Sequence, residues 1–185
     1  MAEKEIKKKG VVRGEKKEGK RECTPIQKND PLFVGIDHSF NGSGIIILDK
    51  DACIVESILY KSKGENDIEK LVDIESRISF IPNIISLNRV YIEAPSISSK
   101  GANALQMGAL HYMIATFLFK NNITFKAIEP TKLKKFVTGK GNSKKELMLL
   151  NVYKKWGVEF NDNNLADAYS LARMALEDWK TQTGG

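Results

Sequence analysis

Leu32-Phe33-Val34-Gly35-Ile36-Asp37 is an apolar run that ends in a carboxylate. Its length and its β-branched and aromatic side chains predict a buried strand, and the polar, Gly-containing segment 38–44 predicts a turn after it. A carboxylate entering a core costs several kcal/mol unless something compensates its charge. Asp37 therefore either binds a partner such as a metal ion or caps its own turn, as Asp often does.

Two further acids stand in similar settings. Glu93 ends the apolar run Val90-Tyr91-Ile92, and Asp167 lies in residues 165–172, a segment typical of a helix. Each has an ordinary explanation, because a Glu often ends a strand at the surface and an acid in a first helical turn gains from the helix dipole. Three such acids from distant segments suggest a common compensator, for which a divalent cation is the obvious candidate.

The hydrophobic pattern predicts an α/β domain of order β-β-β-α-β-α-β-α-α-α, with a five-stranded mixed sheet flanked by helices. The predicted strands are residues 32–37, 45–48, 53–59, 89–92 and 123–128. The predicted helices are one that begins at Asn66 or Asp67, and residues 101–120, 130–136, 143–156 and 165–179.

Several details of these helices are specific enough to test. The first helix has an apolar face at Ile68, Leu71, Val72, Ile78 and Ile85, and Pro82 should kink or split it. Helix 101–120 is apolar on most sides and should be well buried. Ser143 and Glu146 have the spacing of a capping box, and residues 159–164 predict a polar loop.

The charge is uneven along the 185 residues, whose net charge is +6. Residues 1–30 carry ten Lys or Arg against six Asp or Glu, with few apolar residues and no sustained period, so we expect a basic, disordered tail. This tail either contacts nucleic acid loosely or only solubilises the chain. The folded domain is expected at 31–180, with a flexible C-terminus at 181–185.

A second basic region lies inside the folded part. Eight lysines fall between Lys132 and Lys155, with Glu146 as the only acid among them. Lysines at this density can follow a phosphate backbone without reading bases, although a solvated helix face has the same composition. Of the two histidines, His111 is interpreted as a structural residue on a buried helix, whereas His38, directly after Asp37, either contacts phosphate or is a turn residue without a role.

No apolar stretch reaches the ~20 residues of a membrane span. The two cysteines, Cys23 and Cys53, fit no disulfide framework or zinc-ligand spacing. A reducing compartment is therefore the expected setting.

Four stretches together resemble the RuvC-type Holliday-junction resolvases of the ribonuclease H superfamily, and the phage-borne branch most of all. They are Gly35-Ile36-Asp37-His38-Ser39 with Gly42 and Gly44, then Ile92-Glu93-Ala94, then residues 130–145, and then residues 162–168. The resemblance covers roughly residues 32–178 and implies a ribonuclease H-like fold.

The resemblance also implies roles for single residues. Asp37 would bridge two Mg²⁺ ions, with Mn²⁺ as a substitute, and Glu93 and Asp167 would complete the cage. The family's usual fourth ligand falls at Asn164, which is neutral, and Asp162 lies close enough to replace it, for example through a water molecule.

The lysines of segment 130–145 have counterparts in the family that serve the junction and the scissile phosphate. Lys134 and Lys145 align with them as catalytic residues. Residues placed to contact DNA are Lys132, Lys135, Lys140, Lys144, Ser96 and Ile97. The last two stand where the family often has a stacking aromatic, and Ile97 could act as an apolar wedge.

The function expected from this resemblance is a Mg²⁺-dependent endonuclease that resolves four-way DNA junctions by paired nicks, as a cytoplasmic homodimer in a bacterial or phage-infected cell. The helices that begin at Gly101 and Ser143 are candidates for the dimer face. Alternatives are another ribonuclease H-like nuclease, acting on RNA/DNA hybrids or flap DNA, an inactive DNA-binding domain, and a fragment of an actin- or sugar-kinase-like ATPase.

Overall fold

The computed structural model describes residues 11–12, 27, 30–79, 81, 87–96 and 101–184. The strands in these ranges are β1 (Val11–Val12), β2 (Leu32–Asp37), β3 (Ser43–Leu48), β4 (Ile54–Tyr60), β5 (Leu87–Glu93), β6 (Phe125–Ile128) and β7 (Glu159–Phe160). The helices are α1 (Asp67–Ile78), α2 (Ala102–Lys120), α3 (Pro130–Thr138), α4 (Lys145–Trp156) and α5 (Asn163–Thr183).

The main sheet has the strand order β4-β3-β2-β5-β6. The β4-β3-β2 part is antiparallel, whereas β2–β5 and β5–β6 pair in parallel. The prediction of a five-stranded mixed sheet flanked by helices is confirmed. A second, two-stranded sheet pairs β1 with β7, which the sequence did not predict. β1 falls in the segment assigned to the tail, and β7 falls in the expected polar loop.

Helices cover both faces of the main sheet because alternate strand residues point to opposite sides. On one side, Phe33 belongs to a hydrophobic cluster with α3, α4 and α5. On the other side, Val34 and Ile36 belong to a cluster with α1 and α2. The central strand β2 is therefore buried on both faces, and its last residue, Asp37, is 7% exposed.

Two glycines allow α5 to lie directly against the sheet. A Cβ at Gly35 would come within 1.9 Å of the Ala168 oxygen and 2.5 Å of the Ala172 nitrogen. A Cβ at Gly44 would come within 2.4 Å of the Asn164 oxygen. Since no side chain fits at these points, the first turns of α5 are held beside the end of β2.

Helix α1 differs from its prediction. It ends at Ile78 and does not extend to Pro82, which lies outside the described residues together with Ile85. Two residues of the expected core face, Ile68 and Val72, are 69% and 60% exposed. The helix buries Ile78, as predicted, together with Ile74, so only the part of the apolar face nearest the N-terminus was assigned wrongly.

Helices α2, α4 and α5 also depart from expectation. Helix α2 buries one face only. The capping-box prediction is wrong, because Lys144 occupies the N-cap of α4 and no side chain caps it. Helix α5 begins at Asn163 and runs to Thr183, past the end predicted for it. The start of α5 is set by a local cap, since the Asp162 side chain accepts a hydrogen bond from the Asn164 backbone nitrogen.

Among the described helices, none has the length and hydropathy needed to cross a bilayer. Cys53 is disulfide-bonded, so the prediction that the cysteines form no disulfide is wrong.

Candidate active site

The three acids come together at one edge of the sheet. Asp37 ends β2 and Glu93 ends the neighbouring strand β5. Because these strands are parallel, their carboxyl ends meet at the same edge. Asp167 lies near the start of α5, which the contact at Gly35 holds against β2. The fold thus gathers three carboxyl groups that are 56 and 74 residues apart along the chain.

These carboxyl groups interact strongly. Burial, and next the charges of Glu93 and Asp167, raise the pKa of Asp37 well above its ordinary value. Burial also raises the pKa of Glu93, whose side chain is hydrogen-bonded to Asp37. For Asp167, burial followed by the charge of Glu93 raises the pKa to about 7. The pocket therefore retains protons near neutral pH unless positive charge is supplied to it.

Two lysines supply part of that charge. The ammonium groups of Lys134 on α3 and Lys145 on α4 lower the pKa of both Glu93 and Asp167, opposing the effect of burial. Lys145 also acts on Asp37 in this way. The structure thus brings together all five residues that the resemblance assigned to catalysis, and their roles stay a prediction.

The two candidates for a fourth ligand have different surroundings. Asp162 is the N-cap of α5, where its Oδ1 accepts a hydrogen bond from the Asn164 backbone nitrogen at 2.8 Å. Its charge contributes to raising the pKa of Asp167, so it lies within range of the pocket. The Asn164 side-chain nitrogen is 3.4 Å from the Gly42 oxygen, to which it donates. Asn164 therefore ties α5 to the turn between β2 and β3.

The donor set fits a hard divalent cation. All three acids offer carboxylate oxygen, the ligand that Mg²⁺ and Mn²⁺ prefer. One oxygen of Asp167, Oδ1, is buried without a hydrogen-bond partner. In the described part of the chain, however, no group of three His, Cys, Asp or Glu residues forms a ready-made metal site. The side chains of Asp37 and Glu93 are instead hydrogen-bonded to each other. One proton shared by the two carboxyl groups explains this bond, and a bound cation would displace that proton.

The DNA-contact candidates are more dispersed. Four of them are exposed lysines around α3 and the loop before α4: Lys132, Lys135, Lys140 and Lys144. Lys132 acts on Asp178, 11 residues beyond Asp167 on α5, so it lies away from the acids. Ser96 is exposed three residues after Glu93, and Ile97 lies outside the described residues.

Sequence reasoning did not foresee how close the two histidines lie to the acids. His38 is 2% exposed, and its ring stacks on that of His111 with centroids 5.7 Å apart. Burial, followed by the neighbouring His111 ring, lowers the pKa of His38 to about 3. His111 also bonds to the backbone of Glu93. The only available signal was the position of His38 directly after Asp37, so the pairing of the two rings was not predictable.

Comparison with known proteins agrees with this architecture. No family model matches the chain. A sequence relative is the crossover junction endodeoxyribonuclease RuvC of Rickettsia typhi, 25% identical over 159 residues, which span 78% of this chain and 96% of the relative. RuvC of Rickettsia bellii is 21% identical over 154 residues, with the same two coverages.

Solved structures show the same fold. RuvC of Thermus thermophilus superposes with a TM-score of 0.63 at 19% identity, over 83% of this chain and 96% of that one. The T. thermophilus RuvC in complex with Holliday junction substrate gives 0.66 at 18% identity, with the same coverages. The yeast mitochondrial Holliday junction resolvase Ydc2 gives 0.55 at 12% identity, over 87% and 86%.

The chain therefore has the ribonuclease H-like fold of the RuvC structures, as the sequence predicted. The resemblance to RuvC-type proteins that the sequence suggested is confirmed.

Proposed function

We propose that this protein is a divalent-metal-dependent endonuclease that resolves four-way DNA junctions by paired nicks. The observation that carries the proposal is the convergence of Asp37, Glu93 and Asp167 on one pocket that Lys134 and Lys145 face. The likeness to crossover junction endodeoxyribonucleases in sequence, and to junction-resolving enzymes in structure, supports it.

The three acids would hold the metal, which we propose to be Mg²⁺, as two ions, with Mn²⁺ as a substitute. Bound there, such ions would activate a water molecule and stabilise the leaving oxygen of a phosphodiester. Asp162 is proposed to assist through water, because its charge acts on Asp167. Asn164 would offer its amide oxygen as a neutral ligand while its amide nitrogen donates to Gly42.

The lysines would serve the DNA. Lys134 and Lys145 are placed to offset negative charge on the scissile phosphate. Exposed Lys135, Lys140 and Lys144 continue the positive surface and would follow the sugar-phosphate backbone without reading bases. The nuclease domain is proposed to span residues 31–180, with the basic residues 1–30 available for further weak DNA contact, in the cytoplasm of a bacterial or phage-infected cell.

We further propose a two-fold homodimer, since paired cuts on a two-fold junction require two active sites. The supporting feature is the outer face of α2, called here the α2 stripe: Ala102, Leu105, Ala109, Tyr112, Thr116 and Phe119. All six are exposed, and the three large side chains are 72–77% exposed. A neutral apolar surface of this kind marks an interaction site.

The spacing of the α2 stripe favours a second copy of this chain as its partner. The residues recur at intervals of three and four along the whole helix, which is the pattern of a helix–helix seam. Small residues alternate with large ones, so large side chains of one copy can lie over small ones of the other. Tyr112 and Thr116 also line a cleft of about 370 Å³ beside the stripe.

The dimer is tested by sedimentation of the wild type and of a Leu105→Glu/Phe119→Glu double variant. The wild type should be dimeric at micromolar concentration and the variant monomeric. Leu150→Glu on α4, where the native side chain is 44% exposed, is the matched control and should stay dimeric. A monomeric wild type, or a dimer lost only in the α4 variant, would reject the α2 stripe as the interface.

The activity is tested with an end-labelled four-way junction, incubated with protein and Mg²⁺ or with EDTA. Symmetrical nicks that need Mg²⁺ and spare linear duplex of the same sequence support the proposal. Parallel reactions contain Y-shaped DNA, flap DNA and an RNA/DNA hybrid. Faster cleavage of one of these would reassign the protein to another nuclease of this fold, and no cleavage of any substrate would reject the nuclease.

A further inference from the structure

Two hydroxyl groups close the loop between α3 and α4. Thr138 is the last residue of α3 and Ser143 lies two residues before α4. Their oxygens are 2.6 Å apart, and either can donate. Both also lie within hydrogen-bond distance of the Lys140 oxygen, at 2.9 and 2.8 Å. Each hydroxyl has one proton and can donate to only one acceptor at a time. The two hydroxyls and the Lys140 oxygen therefore form a cluster whose hydrogen bonds alternate between these partners.

The cluster reaches the neighbourhood of both catalytic candidates. The Thr138 hydroxyl is 2.8 Å from the backbone oxygen of Lys134, one helical turn earlier. Ser143 precedes Lys145 by two residues. It is 9% exposed, although the residues around it at the head of α4 are open to solvent. Its hydroxyl thus points into the loop and leaves the backbone nitrogens of α4 without a side-chain cap.

The loop backbone is shaped to make this closure possible. Gly139 has a φ of +80°, which other residues adopt rarely, and its nitrogen donates to the Lys135 oxygen at 2.9 Å. A Cβ on Gly141 would lie 3.1 Å from the Thr131 oxygen, so this residue packs close to the start of α3. Residues 139–142 are therefore folded back against α3 as a tight connection.

Lysine side chains are long and flexible, so their aim depends on how firmly the backbone beneath them is held. Lys134 and Lys145 stand on different helices, yet both act on Glu93 and Asp167. We propose that Thr138 and Ser143 are positioning residues, whose hydroxyl cluster fixes α3 relative to the start of α4 and so keeps both lysines directed at the same phosphate. This inference rests on the proposed nuclease function and adds to it.

The test separates substrate binding from the cleavage step in full-length protein. Thr138→Val keeps the side-chain shape and removes the hydroxyl, whereas Thr138→Ser retains it. Single-turnover cleavage of a bound four-way junction at saturating Mg²⁺ should fall about 10- to 100-fold in the valine variant, the size expected of a small misplacement of catalytic groups. The serine variant should recover most of the rate, and junction Kd should change less than about twofold in both, because the exposed lysines are untouched.

Two further variants sharpen the test. Ser143→Ala should resemble Thr138→Val, and the double variant should be no slower than the worse single, because both changes open one cluster. Thr181→Val is the matched control. The Thr181 hydroxyl bonds to the Glu177 oxygen four residues earlier at 2.9 Å, at the other end of α5, and its loss should leave the rate unchanged.

An activity-independent measurement keeps this inference separate from the proposed function. Amide hydrogen exchange of residues 139–145 should accelerate in Thr138→Val and Ser143→Ala, with the melting temperature close to that of the wild type. If the wild type fails to cleave any junction, the nuclease proposal fails whatever the exchange shows. If the wild type cleaves and Thr138→Val cleaves as fast as Thr181→Val, or serine fails to rescue, the positioning role is overturned.

Discussion

Two acidic sites lie along helix α5, and their acids have opposite pKa shifts. Toward its C-terminal end, Asp178 accepts a hydrogen bond from the Tyr91 hydroxyl at 2.5 Å. It also forms an ion pair with Lys126, with the two charged atoms 3.3 Å apart. Although partial burial acts in the other direction, these partners lower the pKa of Asp178. Near the N-terminal end, burial raises the pKa of Asp167 to about 7, and its Oδ1 has no hydrogen-bond partner.

The difference separates an acid whose charge the fold neutralises from an acid whose charge the fold leaves uncompensated. At Asp178 the chain provides the neutralising partners itself, so the carboxylate is a stable part of the fold. At Asp167 the nearest acidic neighbours, Glu93 and Asp162, add to the unfavourable charge. Protonation can relieve this repulsion, and so can a bound cation, which is what the proposed metal site would provide.

The largest expected effect comes from removing one acid of each site in turn. Asp37→Asn should reduce Mg²⁺-dependent cleavage by at least about 10³-fold, since it would remove a proposed ligand of ions that contribute several kcal/mol. It should retain junction binding, because the lysines remain. Asp178→Asn should cleave at close to the wild-type rate. Gel assays of cleavage and binding check both, and loss of binding together with cleavage in Asp37→Asn would contradict its role as a metal ligand.

The second expected effect concerns stability, and its sign differs between the two acids. Asp167 has a folded pKa of about 7 against an ordinary value of 3.8, so it destabilises the metal-free fold above pH 7. The loss of folding free energy decreases as pH falls from 7 toward 3.8, because Asp167 takes up its proton at a higher pH in the folded state than in the unfolded state. Asp167→Asn should therefore raise the free energy of unfolding at pH 8 by about 2–4 kcal/mol, with little gain at pH 4.

Asp178 provides the opposite case. Its folded pKa is lowered, so its stabilising effect is present above the unfolded pKa and is lost as pH falls through the folded value. Its side chain is 39% exposed, so Asp178→Asn should cost at most about 1 kcal/mol at pH 8. Urea denaturation in EDTA at the two pH values measures both variants. An Asp167→Asn protein less stable than the wild type at pH 8 would contradict the strained-pocket interpretation.

Mg²⁺ should relieve the same strain in the wild type. A ligand that binds only the folded state at 100 times its Kd adds about 2.7 kcal/mol, so Mg²⁺ should raise the melting temperature and EDTA should reverse the rise. Asp167→Asn should show a much smaller response, and Asp178→Asn should respond like the wild type. Equal responses in all three proteins would mean that Mg²⁺ acts elsewhere than on this pocket.

The sequence predicted the acid cluster better than its surroundings. The strands that end in Asp37 and Glu93 have strong apolar patterns, and parallel pairing then forces their ends together. The pattern could not show that Gly35 brings Asp167 to the same edge, because that depends on a backbone contact between β2 and α5. Likewise, the amide of Asn164 donates to Gly42, 122 residues earlier in the chain, and no local rule predicts such a bond.

Helix surfaces were the least predictable part of the fold. Periodicity shows that a helix has an apolar side but not which neighbour covers it. Thus Ile68 belongs to the predicted apolar face of α1, and Tyr112 lies on the helix predicted to be well buried, yet they are 69% and 72% exposed. Ser143 and Glu146 fit a capping box, yet the Ser143 hydroxyl bonds to the loop instead. Ile68 and Tyr112 are exposed because no neighbouring element in the described part of the chain covers them. Ser143 does not cap α4 because its hydroxyl bonds to the Lys140 oxygen.

The smallest of the expected effects concerns lysines, again compared between the two sites. Lys134→Ala and Lys145→Ala should each slow cleavage about 10- to 100-fold, or 1.4 to 2.7 kcal/mol, because each removes a positive charge beside Glu93 and Asp167. Lys126→Ala, beside Asp178, should cleave like the wild type, since its charge serves a structural acid. Single-turnover rates on one labelled junction, with melting curves to verify folding, compare the three directly. Wild-type rates from both Lys134→Ala and Lys145→Ala would show that the acid pocket cleaves DNA without the charge of these lysines. The proposed metal alone would then distinguish the pocket at Asp167 from the site at Asp178.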